Sequence, residues 1–237
     1  MIPALAPVFR GSLERYGAQL VPESDPRPFL AGKSLLDPER LRPILEQFGR
    51  KYPGGDKAAI ATQWSKWHFS TLLVPILAAN LLADLDLPVE LERIGVVLDE
   101  DGHTAAIRLG PDIVRFAPAS AAARFARVTE EHLAPLIGAI RATSGLPEKV
   151  LWSNAGNVAE NVLRECEASL GADHPGVAQG AALLAARLRP DGSRNPLFEP
   201  IRYVGGARRR RVCCLRYLIE TLGYCKSCPL AQARKET

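Results

Sequence analysis

The chain has 237 residues and a formal net charge of +4, and 47% of its residues are hydrophobic and 24% charged. This composition excludes a disordered chain, because enough apolar side chains are present to build a sizeable core. The length suits one large domain or two small ones, and the mild basic excess does not by itself indicate a nucleic-acid binder.

The sequence shows no segment typical of membrane insertion or secretion. The longest apolar stretch, residues 72–82, is interrupted by Pro75 and Asn80 and is too short to cross a bilayer. The N-terminus lacks a basic start followed by an apolar run. We therefore expect a cytoplasmic protein without a transmembrane segment, and a peripheral attachment to the inner membrane stays open.

The first elements in chain order are two predicted helices. Asp37 is a typical N-cap for a helix over residues 38–48, which begins with proline. A pair of glycines followed by Asp56 predicts the start of a second helix, which continues into the apolar stretch at residues 72–82. Pro75 is expected to kink or break this second helix, because proline cannot donate a backbone hydrogen bond.

The middle of the chain changes to a strand pattern. Residues 94–98 and 104–109 are rich in β-branched and apolar side chains, and the acidic, glycine-containing segment between them is typical of a turn. Residues 113–116 are a candidate third strand. Together these segments predict a small antiparallel meander.

Helices return in the second half of the chain. They are expected at residues 120–143, at residues 158–170 with an earlier start left open, and at residues 177–188, followed by a short strand at residues 200–204. The predicted fold class is α+β, dominated by helices, with a small antiparallel sheet in the middle and a cysteine-rich segment at the C-terminus.

Five cysteines are present, and four of them lie within sixteen positions near the C-terminus: Cys213, Cys214, Cys225 and Cys228. Clustered thiols in a reducing compartment indicate metal or redox chemistry rather than structural disulfides. Cys166 is isolated in a predicted helix and is expected to be a buried small hydrophobic residue.

The adjacent pair Cys213-Cys214 favours a centre with more than one metal atom. Neighbouring side chains of a strand point to opposite faces, so both sulfurs reach one ion only if the backbone bends. A two-iron cluster offers two irons to four thiolates, whereas a tetrahedral zinc site normally uses spaced pairs such as Cys225 and Cys228. The pattern therefore favours an iron–sulfur cluster over zinc, and over a coincidental group of free or disulfide-bonded cysteines.

Several segments resemble the ferric-siderophore reductase (FhuF) family. The Cys-Cys-x10-Cys-x2-Cys spacing agrees without departure with the C-terminal signature of that family. Residues 151–157 are similar to its Trp-Ser-Asn-x-Gly segment, and residues 195–198 to its Asn-Pro-Leu-aromatic stretch. Residues 64–75 are similar to its aromatic helix followed by an apolar run with proline. The matches keep the same order and span most of the chain.

The resemblance implies a cytoplasmic reductase with a [2Fe–2S] cluster that reduces the iron of imported ferric siderophores. Siderophores of the hydroxamate type are expected as substrates more than other types. The cluster ligands that it implies are Cys213, Cys214, Cys225 and Cys228. One electron would convert tightly held Fe(III) into weakly held Fe(II), so the cofactor carries the chemistry. We expect a reductase body over residues 1–204 and a cluster-binding segment over residues 205–237 packed on it.

An external electron donor, either a protein or a small reductant, is expected. No G-x-G-x-x-G segment follows a predicted strand, so the sequence shows no built-in nicotinamide or flavin site. Cationic residues near the cysteines would stabilise the more negative reduced cluster and raise its reduction potential.

Substrate contacts are inferred separately, from cationic, aromatic and polar residues. The candidates are Arg209, Arg210, Arg211, Arg216, Trp67, His68, Trp152 and Asn154. The arginines can attract an anionic ferric complex, or they can form a solvated basic stretch beside the metal site. The helical spacing of Trp64, Trp67 and His68 also fits core packing, and Ser153 or Asn154 also fits a helix N-cap.

Two other functions stay open at this point. One is a zinc-stabilised module that binds RNA or a protein, although few aromatic residues interleave with the arginine run and no nucleic-acid partner is predicted. The other is an iron–sulfur redox sensor that does not act on siderophores. The remaining histidines receive no metal role, since His103, His132 and His174 are interpreted as turn, helix-surface and loop residues.

Overall fold

A computed structural model describes residues 2–10, 14–115 and 120–231. The α-helices of this part are α1 (Glu14–Gly17), α2 (Pro38–Gly49), α3 (Lys57–Ala83), α4 (Ala121–Ala126), α5 (Ala134–Ser144), α6 (Glu148–Leu170) and α7 (Pro175–Ala185). A π-helical segment, Arg127–Leu133, joins α4 to α5. Short 3-10 helices lie at Pro3–Leu5, Gly32–Leu36 and Arg216–Leu218.

The strands of the described residues are short. They are β1 (Leu20–Pro22), β2 (Leu30–Ala31), β3 (Leu85–Asp86), β4 (Gly95–Leu98), β5 (Thr104–Leu109), β6 (Val114–Arg115), β7 (Ile201–Val204) and β8 (Ala207–Arg210). The helix-dominated α+β class predicted from the sequence is confirmed. The division into residues 1–204 and 205–237 stays a prediction.

Both predicted helix starts are confirmed by capping contacts. The Asp37 carboxylate accepts a hydrogen bond from the backbone N–H of Glu39 at 2.9 Å, and Asp56 accepts one from Ala59 at 2.8 Å. Each carboxylate satisfies a backbone donor that has no partner within the first helical turn. Helix α3 is not broken at Pro75, because it continues to Ala83.

Helix α3 forms the centre of the core. Nearly all of its residues after the first turn are buried, on every face, which is typical of a helix surrounded by other elements. It packs most extensively against α6, and it also contacts β5, α2 and the 3-10 helix at Arg216–Leu218. Helix α3 therefore connects the core of the molecule with the cysteine-rich segment.

The predicted antiparallel meander is only partly correct. Strands β4 and β5 pair in antiparallel fashion, as expected, but β6 pairs with β3 and not with β5. The main sheet has the order β1-β5-β4-β2, with β1 parallel to β5. Phe116, the last residue of the predicted third strand, lies outside the described residues. The two-residue pairings depend on contacts distant in sequence, which local patterns do not reveal.

Two helices in the C-terminal half differ in extent from the predicted ranges. Helix α6 begins at Glu148, ten residues before the predicted residue 158, and its N-cap is Pro147. Ser153 and Asn154 therefore lie inside the helix, so the N-cap interpretation of these residues is wrong. Helix α7 ends at Ala185, before the expected residue 188. The predicted strand near residue 200 is paired with β8, which lies in the arginine run.

The long helix predicted from residue 120 contains an irregular segment. The described residues from Ala121 to Ser144 are helical throughout, but the central turns at Arg127–Leu133 are π-helical. The Thr129 hydroxyl donates a hydrogen bond to the Phe125 carbonyl at 2.9 Å within this region. None of the described helices has the length and apolar composition needed to cross a membrane.

Candidate metal centre

The two pairs of cysteines lie on neighbouring segments at the end of the β7–β8 hairpin. Strand β8 ends at Arg210, whose backbone N–H donates to the carbonyl of Ser227 at 2.8 Å. The backbone then turns at Leu215, which adopts a left-handed conformation with φ of 56°. Within the second pair, the Cys228 N–H donates to the Cys225 carbonyl at 3.0 Å. These contacts bring two cysteine loops side by side.

The four thiols form two pairs. The sulfurs of Cys214 and Cys225 lie 3.7 Å apart, and burial together with the neighbouring thiols, Cys228 among them, raises the pKa of Cys213. Two ligands of one tetrahedral ion with metal–sulfur bonds of about 2.3 Å lie about 3.8 Å apart. Among the described residues, no three cysteine sulfurs lie within 4.8 Å of one another. The arrangement therefore fits two irons better than a single zinc ion.

Helix α3 contributes a cation to one of these pairs. The Lys66 ammonium lies 3.9 Å from the Cys214 sulfur and donates to the Gln63 side-chain carbonyl at 2.9 Å. Gln63 in turn donates to the backbone carbonyl of Cys214 at 3.3 Å. Gln63 and Lys66 are one helical turn apart, so the same face of α3 holds both the cysteine backbone and the positive charge.

A second cation, Arg210, is buried beside the cysteines. Its guanidinium donates to the Asn154 side-chain carbonyl and, at 3.2 Å, to the Ser153 hydroxyl. The Asn154 amide is itself anchored to α3, since it donates to Thr62 Oγ1 at 2.8 Å and to Ser65 Oγ at 2.9 Å. The buried Nε of Arg210 has no hydrogen-bond partner among the described residues, and the guanidinium interacts electrostatically with Cys213, Cys214 and Cys225.

The ionisation of the thiols follows from this environment. A hydrogen bond from Cys225 lowers the pKa of Cys214 to about 5, and the charges of Lys66 and Arg210 act in the same direction. The pKa of Cys225 is raised, because its proton is held by Cys214 and because the thiol is buried. Thiolates are the form that binds metals, so the two cations favour the state that a cluster needs.

Cys166 lies apart from this group, on α6. It is buried, as the sequence predicted, and burial raises the pKa of its thiol to about 11. A thiol that stays protonated in an apolar environment is a poor metal ligand.

Comparisons with known proteins agree with this geometry. Residues 62–211 match the family described as ferric iron reductase FhuF-like transporter, which is more than half of the chain. The chain belongs to the FhuF family. Residues 210–230 match the FhuF 2Fe-2S C-terminal domain, and this range contains all four clustered cysteines. The cofactor of this FhuF-family chain is therefore a [2Fe–2S] cluster, and the donor set of four paired thiols beside two cations fits that group.

Individual proteins that resemble the chain share only a limited sequence identity with it. The ferric siderophore reductase of Escherichia coli (strain K12) is 26% identical over 168 residues, which cover 70% of this chain and 64% of that protein. The chain thus spans slightly less than two thirds of the length of this relative. The solved structure of aerobactin synthetase IucC from a hypervirulent pathotype of Klebsiella pneumoniae superimposes with a TM-score of 0.57 at 16% identity, over 82% of this chain and 45% of that one. This last likeness concerns the fold alone.

The aromatic residues of α3 are placed differently from one another. Trp64 and His68 are fully buried and stack at 5.1 Å between ring centroids, whereas Trp67 is 53% exposed. His68 Nδ1 lies 2.8 Å from Thr104 Oγ1, and its Nε2 lies 3.3 Å from Nε2 of His132. Both ring nitrogens of His68 are therefore occupied within the core, and no polar atom of this side chain is left for a ligand.

His132 is not on the helix surface, so that prediction is wrong. It is fully buried, and its Nδ1 lies 2.8 Å from the Val89 carbonyl. Burial lowers the pKa of His132 to about 4, and burial together with the neighbouring His132 lowers the pKa of His68 as well. The two histidines form a neutral, hydrogen-bonded pair in the core.

The arginine run divides into inward and outward residues. Arg210 and Arg208 face α6, where Arg208 pairs with Glu160 and donates to the side-chain carbonyl of Asn157 at 2.9 Å. Arg211 is exposed, and the side chains of Arg209 and Arg216 are partly exposed. Alternation along β8 places Arg209 opposite Arg208 and Arg210, whereas Arg211 and Arg216 follow the strand.

Trp152 and Asn154 lie on the first turns of α6, near the cysteine segment. Trp152 is mostly buried and borders a surface cleft, whereas Asn154 is fully buried and is engaged with Arg210. Lys66 and Gln63 were not predicted as site residues, although their spacing as polar residues on a largely apolar helix was a usable signal. The substrate contacts inferred from the sequence stay predictions, and contacts from His68 or Asn154 would require these buried, hydrogen-bonded side chains to exchange their present partners.

Proposed function

We propose that this chain is a cytoplasmic ferric-siderophore reductase that transfers one electron to siderophore-bound Fe(III) and so releases Fe(II). The observation that carries the proposal is the pairing of four thiols beside Lys66 and Arg210, within a domain of the FhuF 2Fe-2S type. The reductase named among the relatives supports the choice of substrate.

The cluster ligands that we propose are two cysteines for each iron. Cys214 and Cys225, whose sulfurs are 3.7 Å apart, would bind one iron, and Cys213 and Cys228 would bind the other. When bound, the [2Fe–2S] group accepts and donates single electrons. The chain itself holds the thiolates in place, through the Gln63 contact to the Cys214 carbonyl and the backbone contacts of the hairpin.

The buried Arg210 and the partly buried Lys66 balance the negative charge of the centre. A group held by four thiolates is an anion, and it becomes more negative on reduction. Lys66 lies 3.9 Å from the nearest sulfur, and Arg210 is fixed by Ser153 and Asn154. Positive charges in a partly dry environment interact more strongly than in water, so these residues favour the reduced state.

The substrate iron gains the electron and changes from Fe(III) to Fe(II). The anionic oxygen donors of a siderophore bind Fe(II) far more weakly than Fe(III), so the metal leaves and water protonates the freed donors. The electron comes from an external one-electron donor, either a reduced protein or a small reductant. The protein supplies position and electrostatics and needs no acid or base for this step.

The two alternatives are less well supported. A zinc-stabilised RNA-binding module would present its arginines to solvent, but Arg208 and Arg210 face inward and are hydrogen-bonded. A redox sensor would share the cluster, and only its reactivity would differ. The expected preference for hydroxamate siderophores and the association with the inner membrane stay predictions.

The proposal is tested by the reactivity of the reduced protein. The protein is purified without air, reduced, freed of excess reductant and mixed with a ferric trihydroxamate in a stopped-flow instrument. We expect the absorption of the oxidised cluster to return rapidly, in the wild type and in the control variant Cys166→Ser. A reduced protein that reacts with ferricyanide but is stable towards every ferric siderophore would support the sensor and contradict the reductase.

A further inference from the structure

A surface cleft of about 290 Å³ lies beside the cysteine segment. Its walls come from the first turns of α6, from the loop before β7 and from the residues that follow β8. Trp152 and Phe198 form aromatic walls, and Pro196 and Pro200 form further apolar surface. Apolar walls with a few convergent polar groups are typical of ligand sites.

The cleft is next to the proposed cluster. Val212 lines it and directly precedes Cys213 in the chain. Ser153 also lines it, and its hydroxyl donates to the Val212 carbonyl at 3.3 Å while accepting a hydrogen bond from Arg210. A molecule in the cleft would therefore contact the residue that directly precedes the proposed ligand Cys213, and this neighbourhood suits electron transfer.

The charge of the cleft is positive. Lys149, Arg194 and Arg211 line it and are exposed, and Glu148 is the carboxylate among the lining residues. Glu148 is already paired with Arg141 at 3.3 Å. In the part of the chain that the structure describes, neither Lys149 nor Arg194 forms a salt bridge, so their charges are available to a ligand.

Arg211 joins the charged and the aromatic features. Its guanidinium carbon lies 5.3 Å from the centre of the Phe198 ring, and its closest carboxylate, Glu199, is 3.8 Å away and also pairs with Arg202. A guanidinium held over an aromatic face keeps its outer N–H groups free to bind anionic oxygens.

We propose that this cleft binds the ferric siderophore and selects chelates of net negative charge. The inference rests on the proposed reductase function, whose substrate it specifies. The aromatic walls accommodate the organic scaffold, and the three cations bind uncoordinated carboxylates or catecholate oxygens on the chelate. A neutral trihydroxamate complex gains little from these charges, and a cationic complex is repelled. This selectivity runs against the preference for hydroxamate siderophores expected from the sequence, and the binding experiment below decides between the two.

Binding to redox-inert gallium complexes tests the proposal without electron transfer. Ga(III) resembles Fe(III) in charge and size but is not reduced under these conditions. Dissociation constants are measured by calorimetry on the cluster-loaded protein for an anionic, a neutral and a cationic Ga(III)–siderophore complex. We expect the anionic complex to bind roughly tenfold or more tightly than the cationic one, with a preference that weakens as salt is added.

A pair of matched variants tests whether the preference for the anionic complex arises in the cleft. Lys149→Gln/Arg194→Gln should weaken binding of the anionic Ga(III) complex by roughly tenfold. Arg40→Gln/Arg42→Gln removes the same charge from an exposed face of α2 and should leave binding unchanged.

Equal binding of the three complexes, or equal loss in both double variants, would overturn the cleft assignment. The reductase function fails separately, if no ferric chelate reoxidises the reduced protein.

Discussion

Replacement of Lys66 by methionine isolates the contribution of one charge to the reduction potential of the cluster. Lys66→Met keeps an unbranched apolar side chain, shorter by one atom, but removes the ammonium that lies 3.9 Å from the Cys214 sulfur. Because a positive charge stabilises the reduced and more negative cluster, its removal is expected to lower the potential.

The structure sets the size of this effect. A unit charge at 3.9 Å contributes about 4 kcal/mol at an effective dielectric constant of about 20. The added electron is shared over the cluster, on average farther away than the nearest sulfur, which reduces the interaction to about 1.4 kcal/mol at the low end. For a one-electron couple 1.4 kcal/mol corresponds to about 59 mV. The expected decrease is therefore about 60 to 170 mV.

The potential is measured by a redox titration followed by the paramagnetic signal of the reduced cluster. Lys66→Arg keeps the charge and should change the potential much less than Lys66→Met. Lys57→Met removes an exposed lysine from the first turn of the same helix and serves as the matched control. A Lys66→Met potential that equals that of the control, or lies above the wild-type value, would refute the electrostatic role of this residue.

Three further predictions concern the ligands, the packing and the pH dependence. Cys213→Ser should lose or severely destabilise the cluster, whereas Cys166→Ser should retain the iron and sulfide content of the wild type, as measured by chemical analysis. Gly156→Ala would place a methyl group 2.6 Å from a proline side chain and should lower the free energy of unfolding by about 1–3 kcal/mol. Gly138→Ala, which meets no atom within 4 Å, should instead raise it by about 0.5–1 kcal/mol, and denaturant titrations of the two variants check the difference. Burial lowers the pKa of His132 to about 4, below its unfolded value near 6.5, so the unfolded chain binds the proton first. Stability should therefore fall as the pH decreases through 6.5 towards 4, and this group should account for a loss of about 1.4 kcal/mol at pH 5.5 relative to pH 8. A smaller fall in His132→Gln than in His174→Gln would confirm the source.

Features encoded by neighbouring residues were predictable from the sequence. The caps Asp37 and Asp56 act within three residues of their own position, so both helix starts were correct. The metal centre was also predictable, because four cysteines grouped near the C-terminus have few functions other than binding a metal or a cluster. The FhuF resemblance rested on the same local spacing and was confirmed by the comparisons.

Features that depend on distant contacts were not predictable. Residues that follow one another in the arginine run alternate between solvent and the α6 surface, and only the pairing of β7 with β8 shows which of them point inward. His132 is buried because the π-helical segment orients its side chain towards His68, which is 64 positions away in the sequence. Lys66 contacts a sulfur 148 positions away. No local pattern in the sequence predicts contacts between residues so far apart in the chain.

The stoichiometry of a single turnover tests the central claim most directly. The reduced, cluster-loaded protein is mixed without air with excess ferric siderophore and a chromogenic Fe(II) chelator, and the Fe(II) formed is compared with the clusters oxidised. One Fe(II) for each cluster is expected, and no Fe(II) from a Cys213→Ser/Cys228→Ser variant. Cluster oxidation without Fe(II), or the same Fe(II) yield from the variant, would contradict a reductase that works through these four cysteines.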